Sequence, residues 1–453
     1  MREKPVRRVR ADRKQTEKCR MNLYDKLARL DRSLQKQKAQ VPSRKTSAAG
    51  DLPLPGGVQQ GAEGTCWLAR RDLPLSHSHA QATLEALLHQ DGRALQYLTK
   101  NPAFAQIRLD RLLFLDTETT GLSGGVGTVA FLVGLGFFAK GRFVSEQWLM
   151  RDFSEERALL AAVLGRIREC VQNGGAIISF NGKTYDIPLL VNRAVYHRLL
   201  REDPAWPHVD LLHPARRLWK KSLPDCSLAT LEARVLAVQR RGDVPGYLIP
   251  QRYFEFLRTR DPRPLLPVFY HNRMDLLSLT ALLNRLLRLF ARREPFHNNL
   301  QVDYLAMGAV YEEVRDFRAG EEHYRALLRG PLPLEQKKQA ALRLARIHKR
   351  KRNWDQAVSL WLEALRSGEF SVEPYEELAK VYEHHIRDLL KARRFTEKAL
   401  ENVRLLEQLR GSGALRAERE RLEWRLARLN RKLARAGGDC FEDPPGVRYF
   451  RKR

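Results

Sequence analysis

Asp116 and Glu118 close a short apolar run in the segment LFLDTETTGL. In an extended chain, residues two apart point to the same face. Both carboxylates therefore project from one strand end toward a common point. Hard divalent cations take oxygen ligands and keep several of their waters, so a few such groups suffice to hold them. Two cations about 4 Å apart relieve charge on a phosphoryl group, activate a water and assist a leaving oxygen. The chemistry that these residues suggest is phosphodiester hydrolysis. A DxE pair alone is ordinarily a solvated strand end; here it ends an apolar run and precedes Thr119, Thr120 and Gly121.

Two further segments carry residues of the same kind. In SFNGKTYD, Asn181 and Gly182 make a turn after an apolar run, and Asp186 falls in the first turn of the helix that follows. A carboxylate at a helix start interacts with the macrodipole in any case, but its place after a strand neighbouring the first favours a metal role. In FYHNRMDLLSL, His271 and Asp275 stand at i and i+4 and share one helix face. Leu276, Leu279 and Leu283 supply the apolar side that docks the helix on a sheet. Asp275 can complete a cation site, and His271 can accept a proton from an attacking water at neutral pH. A local hydrogen bond between the two is the competing reading. Tyr270, five residues before Asp275, is turned off that face.

Lesser candidates surround these. Gly121, Gly124, Gly125 and Gly127 allow close backbone approach to a nucleic-acid end, or simply make a tight connection. Asp210 suits a structural role behind the site, and Lys183 is a candidate phosphate contact. No aromatic-rich stacking platform is evident, so base recognition is not argued.

The elements that must position these groups follow from pattern. RLLFLD, VAFLVGLGFF, RFVSEQWLM, AIISF and the short VDLL read as five strands, with AKG as a hairpin turn between the second and third. SEERALLAAVLGRIREC, with Ser154 as its cap, and TYDIPLLVNRAVYHRLL read as helices, and the remainder to about 295 as helical. Three strands, then helix, strand, helix and strand, form an α/β pattern: an antiparallel meander joined by crossovers to two parallel strands. Residues 61 to 110 read as mixed and helical in places, with ATLEALLHQ as an amphipathic helix.

With these segments in place, DTETTGL, NGKTYD and HNRMD resemble the three motifs of the DEDD 3′–5′ exonuclease superfamily. DTETTGLSGGVGTVAFLVGLG, VDLLHPARRLW, LPDCSLATLE and HNRMDLLSL resemble, more closely, the bacterial YprB-type ribonuclease H-like domain proteins, over roughly residues 60 to 295. The resemblance implies an α/β ribonuclease H-like domain, a mixed five-stranded sheet with flanking helices, followed by an all-α tetratricopeptide-like repeat domain. It implies two Mg²⁺ or Mn²⁺ ions per site: Asp116 bridging both, Glu118 and Asp275 on the water-activating metal, Asp186 supporting the second, and His271 as general base or its surrogate. One departure stands out. Three residues separate His271 from Asp275, which is the spacing of the superfamily's tyrosine branch with histidine in the tyrosine's place.

The rest of the chain frames this domain. Gly308, Tyr311, Gly320 and Tyr324 recur at tetratricopeptide offsets, as do Ala345, Ala357, Trp361 and Ala364, and more weakly Ala379, Tyr382 and Phe395, at a period near 37. Such helices make either a concave surface for a protein partner or a cap on the neighbouring domain. The expected division is a basic, weakly ordered arm over 1–60 with a short helix near Met21 to Leu34, the ribonuclease H-like domain over 61–295, repeats and a charged helix interrupted near Gly411 to Gly413 over 296–436, and a basic tail over 437–453.

The chain holds 81 Lys and Arg against 53 Asp and Glu, a net charge of +28 that draws polyanions, nucleic acid first among them. An Arg-rich proteome with basic tails would also give such a charge. Five cysteines without a CxxC pair argue against a zinc ribbon or a disulfide scaffold. The longest apolar stretch is too short for a membrane span, so a cytoplasmic protein with no membrane association is expected. The expected function is a metal-dependent nuclease, 3′ to 5′ on DNA or RNA. The alternatives are a nucleic-acid-binding or scaffold protein with a catalytically weak domain, and an endonuclease on the same fold.

Overall fold

Seven strands form one mixed sheet in the computed structural model: β1 (Gly57–Gly61), β2 (Gly64–Pro74), β3 (Leu113–Thr119), β4 (Ala130–Ala139), β5 (Arg142–Leu149), β6 (Ile177–Ser179) and β7 (His208–Asp210). Their order is β1-β2-β5-β4-β3-β6-β7. Antiparallel pairing runs from β1 to β3, and β3, β6 and β7 pair in parallel. The structure describes residues 54–121, 127–291, 302–366, 371–410 and 415–435. The arm up to residue 53 with its expected helix, Gly124 and Gly125, the interruption near 411–413 and the basic tail lie outside the described residues.

The five strands expected from pattern are all present, in the expected meander-plus-parallel order. The expected hairpin turn is a two-residue loop of Lys140 and Gly141, both at positive φ (48° and 70°), the backbone that matches strand twist. Two strands of this sheet were not expected. β1 falls partly within the segment assigned to the arm, and β2 within the segment read as mixed and helical. β2 carries exposed Arg70 and Arg71 in mid-strand and lacks a clean alternation; its long antiparallel register with β5, Trp67 to Pro74 opposite Leu149 to Arg142, makes it a strand. The amphipathic helix expected over ATLEALLHQ shrinks to Glu85–Leu88, behind a small ribbon pairing Ser78–His79 with Ala82–Thr83.

Side chains on β3 alternate between two cores. Phe114 joins a cluster with Ile178, Val209 and Leu276. Leu113 and Leu115 join a second cluster with Leu159, Val163 and Leu190. Five longer helices cover the sheet: α1 (Glu156–Gln172), α2 (Asp186–Tyr196), α3 (Leu212–Trp219), α4 (Ile249–Thr259) and α5 (Leu266–Phe290). Leu276, Leu279 and Leu283 of α5 are buried against the Phe114 face, as their spacing predicts. Leu190 of α2 lies on the other. Ser154 is not the cap expected for α1. Asp152 takes that part, accepting from the Ser154 backbone N–H at 3.2 Å at the head of a short 3₁₀ turn.

The C-terminal region is helical throughout its described residues: α6 (Tyr304–Glu313), α7 (Phe317–Arg329), α8 (Leu334–Arg350), α9 (Trp354–Arg366), α10 (Val372–Val381), α11 (Leu389–Arg410) and α12 (Arg416–Arg435), each packed on the next. Small residues let these helices close. A β-carbon on Gly308 would fall 2.5 Å from the Tyr324 ring, and one on Gly320 would lie 3.5 Å from Tyr311 Cβ. Tyr382 stacks on Phe395 with centroids 5.4 Å apart. The first of these helices is built into the sheet-bearing region. Tyr311 is buried in the Phe114 cluster, donates to the Phe290 carbonyl at 2.9 Å and meets Tyr97 edge-on at 4.8 Å. Among the described residues, no helix is long and apolar enough to cross a membrane.

Candidate active site

Strand alternation decides where each carboxylate of β3 goes. Asp116 and Glu118 share the parity of Phe114 and face α5, while Thr117 faces the side of α2. The register places Asp116 opposite Gly134 on β4, and Gly134 opposite Gln147 on β5. A polar bridge from α5 crosses this row. Asn272, fully buried, donates to Asp116 Oδ2 at 2.8 Å and to the Asp116 carbonyl at 3.3 Å. Its own oxygen accepts from Gln147 Nε2 at 2.9 Å, and the same Gln147 amide reaches the Phe269 carbonyl at 2.8 Å. Glycine is required at 134, because a β-carbon there would overlap the Asn272 amide.

Asp186 arrives from the opposite face. The turn that delivers it has Asn181 in the left-handed region (φ 63°) and Gly182 packed so closely on Ser179 that a side chain would collide. Asp210, buried at the end of β7, holds that turn. Its carboxylate accepts from the backbone N–H of Asn181 at 2.8 Å, Lys183 at 3.1 Å and Leu212 at 3.0 Å. Asp210 is therefore a structural anchor. Asp186 itself accepts a hydrogen bond from the Thr117 hydroxyl.

Asp275, one turn past His271 on α5, completes the group. Arg240 donates to Asp275 and also to Glu232 at 2.5 and 2.8 Å and Asp243 at 3.1 Å. Asp243 lies 2.9 Å from His271 Nδ1, and His271 Nε2 lies 3.6 Å from Asp275 Oδ2. Arg240 and Asp243 come from the non-helical link between residues 237 and 245.

The four carboxylates are electrostatically one group. Burial, then the charges of Asp275, Glu118 and Asp186, hold Asp116 well above the usual carboxylate range. Glu118 is raised by burial and by Asp275 and Asp186. Asp275 is raised by burial, against the pull of Arg240. Asp186 is carried up to about 6 by burial, against the Thr117 hydroxyl. All four acids thus gain from added positive charge. The folded chain holds the Asp186 proton more tightly than the unfolded chain does. Its contribution to stability is full below the ordinary carboxylate range and is lost as pH rises through about 6. Thermal unfolding in a chelating buffer is expected to show a midpoint that falls between about pH 4 and 7, with the fall shallower in Asp186→Asn. Equal slopes in the two proteins would contradict this.

Asp116, Glu118 and Asp186 line a cleft of about 1040 Å³, with Thr128, Asn181, Tyr185, Asn192 and Tyr196 also on its wall. His271 and Asp275 are not on that wall. The Asp275 charge acts on Glu118 all the same, and Arg240 and Asp243 lie against the His271–Asp275 pair. Among the described residues no three His, Cys, Asp or Glu side chains form a ready-made ion cage. Asp116, Asp186 and Asp275 are instead turned to Asn272, Thr117 and Arg240. Glu118 differs: its Oε1 is buried without a hydrogen-bond partner among the described residues. An acceptor-only donor set with one orphaned oxygen fits a hard cation that brings its own water.

The five residues that stand out in the sequence, Asp116, Glu118, Asp186, His271 and Asp275, are neighbours in the fold. Asn272, inside the HNRMD segment, and Gln147, Thr117, Arg240 and Asp243 do not stand out in the sequence, yet each holds one of the five or its partner. Lys183 contributes its backbone N–H to Asp210. Gly121 accepts from the Thr119 hydroxyl at 2.8 Å, which ties the start of its loop to β3.

Residues 113–287 match the model of the RNase_H superfamily, a span that begins with β3 and ends near the close of α5. The YprB protein of Bacillus subtilis (strain 168) is 30% identical over 387 residues, covering 82% of this chain and 86% of that protein. The likeness therefore runs through the helical C-terminal region as well as the sheet. Taken with the meander-plus-parallel sheet and the acids at the end of its central strand, it places the chain in the YprB family, with a ribonuclease H superfamily domain at its centre.

Proposed function

We propose that the protein is a metal-dependent nuclease of the exonuclease type, hydrolysing phosphodiester bonds of DNA or RNA. The observation that supports this best is the convergence of four desolvated carboxylates near the end of β3, all held above their ordinary range, with Asp116, Glu118 and Asp186 on the wall of a cleft open to solvent. A protein that only binds nucleic acid gains nothing from acids where a polyanion must approach. Two divalent cations, Mg²⁺ or Mn²⁺, are the counter-charge of this reading; Asp116, Glu118, Asp186 and Asp275 would hold them. When bound, such ions neutralise the phosphoryl oxygens and make water nucleophilic near neutral pH.

The chain's own groups supply placement. Asn272 and Gln147 fix the Asp116 carboxylate, Thr117 fixes Asp186, and Arg240 holds Asp275 and opposes the upward pull of burial on it. Asp243 holds His271 by Nδ1 and leaves Nε2 as the side facing Asp275, which suits a base oriented for proton transfer. The helical region packs its first helix on the same domain through Tyr311.

The test is incubation of the purified chain with end-labelled single- and double-stranded DNA and RNA, with Mn²⁺ and with chelator. Metal-dependent release of single nucleotides supports the exonuclease reading, and a ladder of internal products supports an endonuclease. Binding without turnover on every substrate would overturn it.

The Asp116 bridge yields its own prediction. Gly134→Ala pushes a β-carbon into the Asn272 amide. Overpacking of this kind costs about 1–3 kcal/mol, and the displaced Asn272 no longer holds Asp116. Cleavage is expected to fall by roughly tenfold or more, the equivalent of about 1.4 kcal/mol in the barrier. Adding Asn272→Ala should restore the melting temperature and leave activity low. Recovery of both together would show that Asn272 only fills space.

A further inference from the structure

Outside the carboxylate cleft, the strongest unassigned feature lies in the helical region, where α8 ends in the run HKRKR and Trp354 opens α9. A cleft of about 720 Å³ forms there, lined by Arg346, Lys349, Arg350, Arg352, Trp354 and His385 together with Glu312. The acids nearby are already engaged. Glu312 accepts from Tyr324 at 2.7 Å and Arg343 at 3.1 Å, Glu373 pairs with Arg346 at 2.6 Å, and Glu377 pairs with Lys349. Arg350 and Arg352 are exposed and have no carboxylate partner among the described residues. The Arg350 guanidinium lies over the Phe317 ring at 5.1 Å, which presents it without neutralising it. His385, reaching in from the turn after α10, stacks on the Trp354 indole at 3.7 Å and 17°.

A basic last turn by itself is ordinary, since cations favour a helix C-terminus. That accounts for Lys349 and Arg350. It does not account for Arg352, which lies beyond the helix, or for an aromatic pair brought from separate elements to the same cleft. Guanidinium groups match phosphate geometry and stack on planar rings. Cations beside open aromatic faces are what a single strand uses, with phosphates on the charges and bases on the rings. An acidic peptide would engage the arginines but has no use for the stacked pair.

We propose that this cleft is a second nucleic-acid site, which holds a single-stranded segment through Arg350, Arg352 and the Trp354–His385 stack. It rests on the reading of the substrate as nucleic acid and not on any step of cleavage. It shares no lining residue with the carboxylate cleft.

The test uses the full chain and a fluorescent oligo(dT) of about 30 nucleotides in EDTA, where no metal-dependent cleavage occurs. Anisotropy is read across a salt series. Removing two phosphate contacts lowers the salt slope for a single strand by about 1.4, so the double variant Arg350→Gln/Arg352→Gln should show that change. Affinity should fall by roughly tenfold or more. Trp354→Ala should weaken binding with the slope unchanged. Melting temperatures check that each variant is folded, and Arg352→Gln alone, at an exposed position, serves if another variant is not. Hydrolysis of a small activated phosphodiester, too short to span both sites, should be equal in all of them. Unaltered affinity and slope in the arginine variants would overturn the proposal, as would equal competition by poly-glutamate. If strand binding behaves as expected while the small diester is never hydrolysed, the nuclease reading fails and the second site stands.

Discussion

Asp116→Ala is expected to reduce metal-dependent cleavage by roughly a thousandfold or more, about 4 kcal/mol in the barrier, because it removes the carboxylate at the centre of the group. The fold should survive. Asp116 is held above its ordinary range by burial and by three neighbouring acids, so an uncharged side chain relieves repulsion in the metal-free protein. Asn272 loses one acceptor but keeps the Asp116 carbonyl at 3.3 Å. The expected signature is a melting temperature in chelator equal to or above that of the parent chain, with the rise produced by Mn²⁺ much reduced. Calorimetry or fluorescence melting with and without Mn²⁺, beside the cleavage assay, reads both. An active variant would remove Asp116 from the site, and a variant that melts far lower would show its carboxylate to be structural.

Arg240→Ala is expected to be the most destabilising single change in this region. Its side chain stands among Glu232, Asp243 and Asp275, of which Glu232 is almost wholly buried and the other two largely so. Removing one partner of a buried ion pair costs about 3–5 kcal/mol, because the remaining charge has no compensation. For a domain of this size that corresponds to a fall of about 10 °C. The double variant with Asp275→Asn should recover part of the loss, since it deletes one of the stranded charges, and the coupling between the two follows from a double-mutant cycle. A melting temperature unchanged by Arg240→Ala would show that solvent, not this guanidinium, satisfies the three acids.

The parts of this architecture that could be read from sequence share one property: they are set by local pattern. The apolar run ending at Asp116, the turn before Asp186 and the leucine spacing after Asp275 each report a strand end or a helix face within a few residues. What escaped depends on partners far along the chain. β2 is a strand because β5 lies beside it, some 70 residues later, and its own arginines argue against extension. Asn272 lies between two residues that sequence singled out, but its role exists only because Gly134 and Gln147 stand in register under α5. Arg240 and Asp243 lie in VQRRGDVPGY, a stretch without periodicity, in a chain where arginine is common enough to carry no signal. Ser154 fails as a cap for a simpler reason: Asp152, two residues earlier, opens the turn and accepts from both the Ser154 backbone N–H and its hydroxyl.

The burial of Tyr311 between Phe290 and Tyr97 has a practical side. A chain cut just after α5 would keep every acid of the cleft yet leave a greasy scar where that ring had been. Such a fragment should aggregate on expression, whereas one carried through α7 should not.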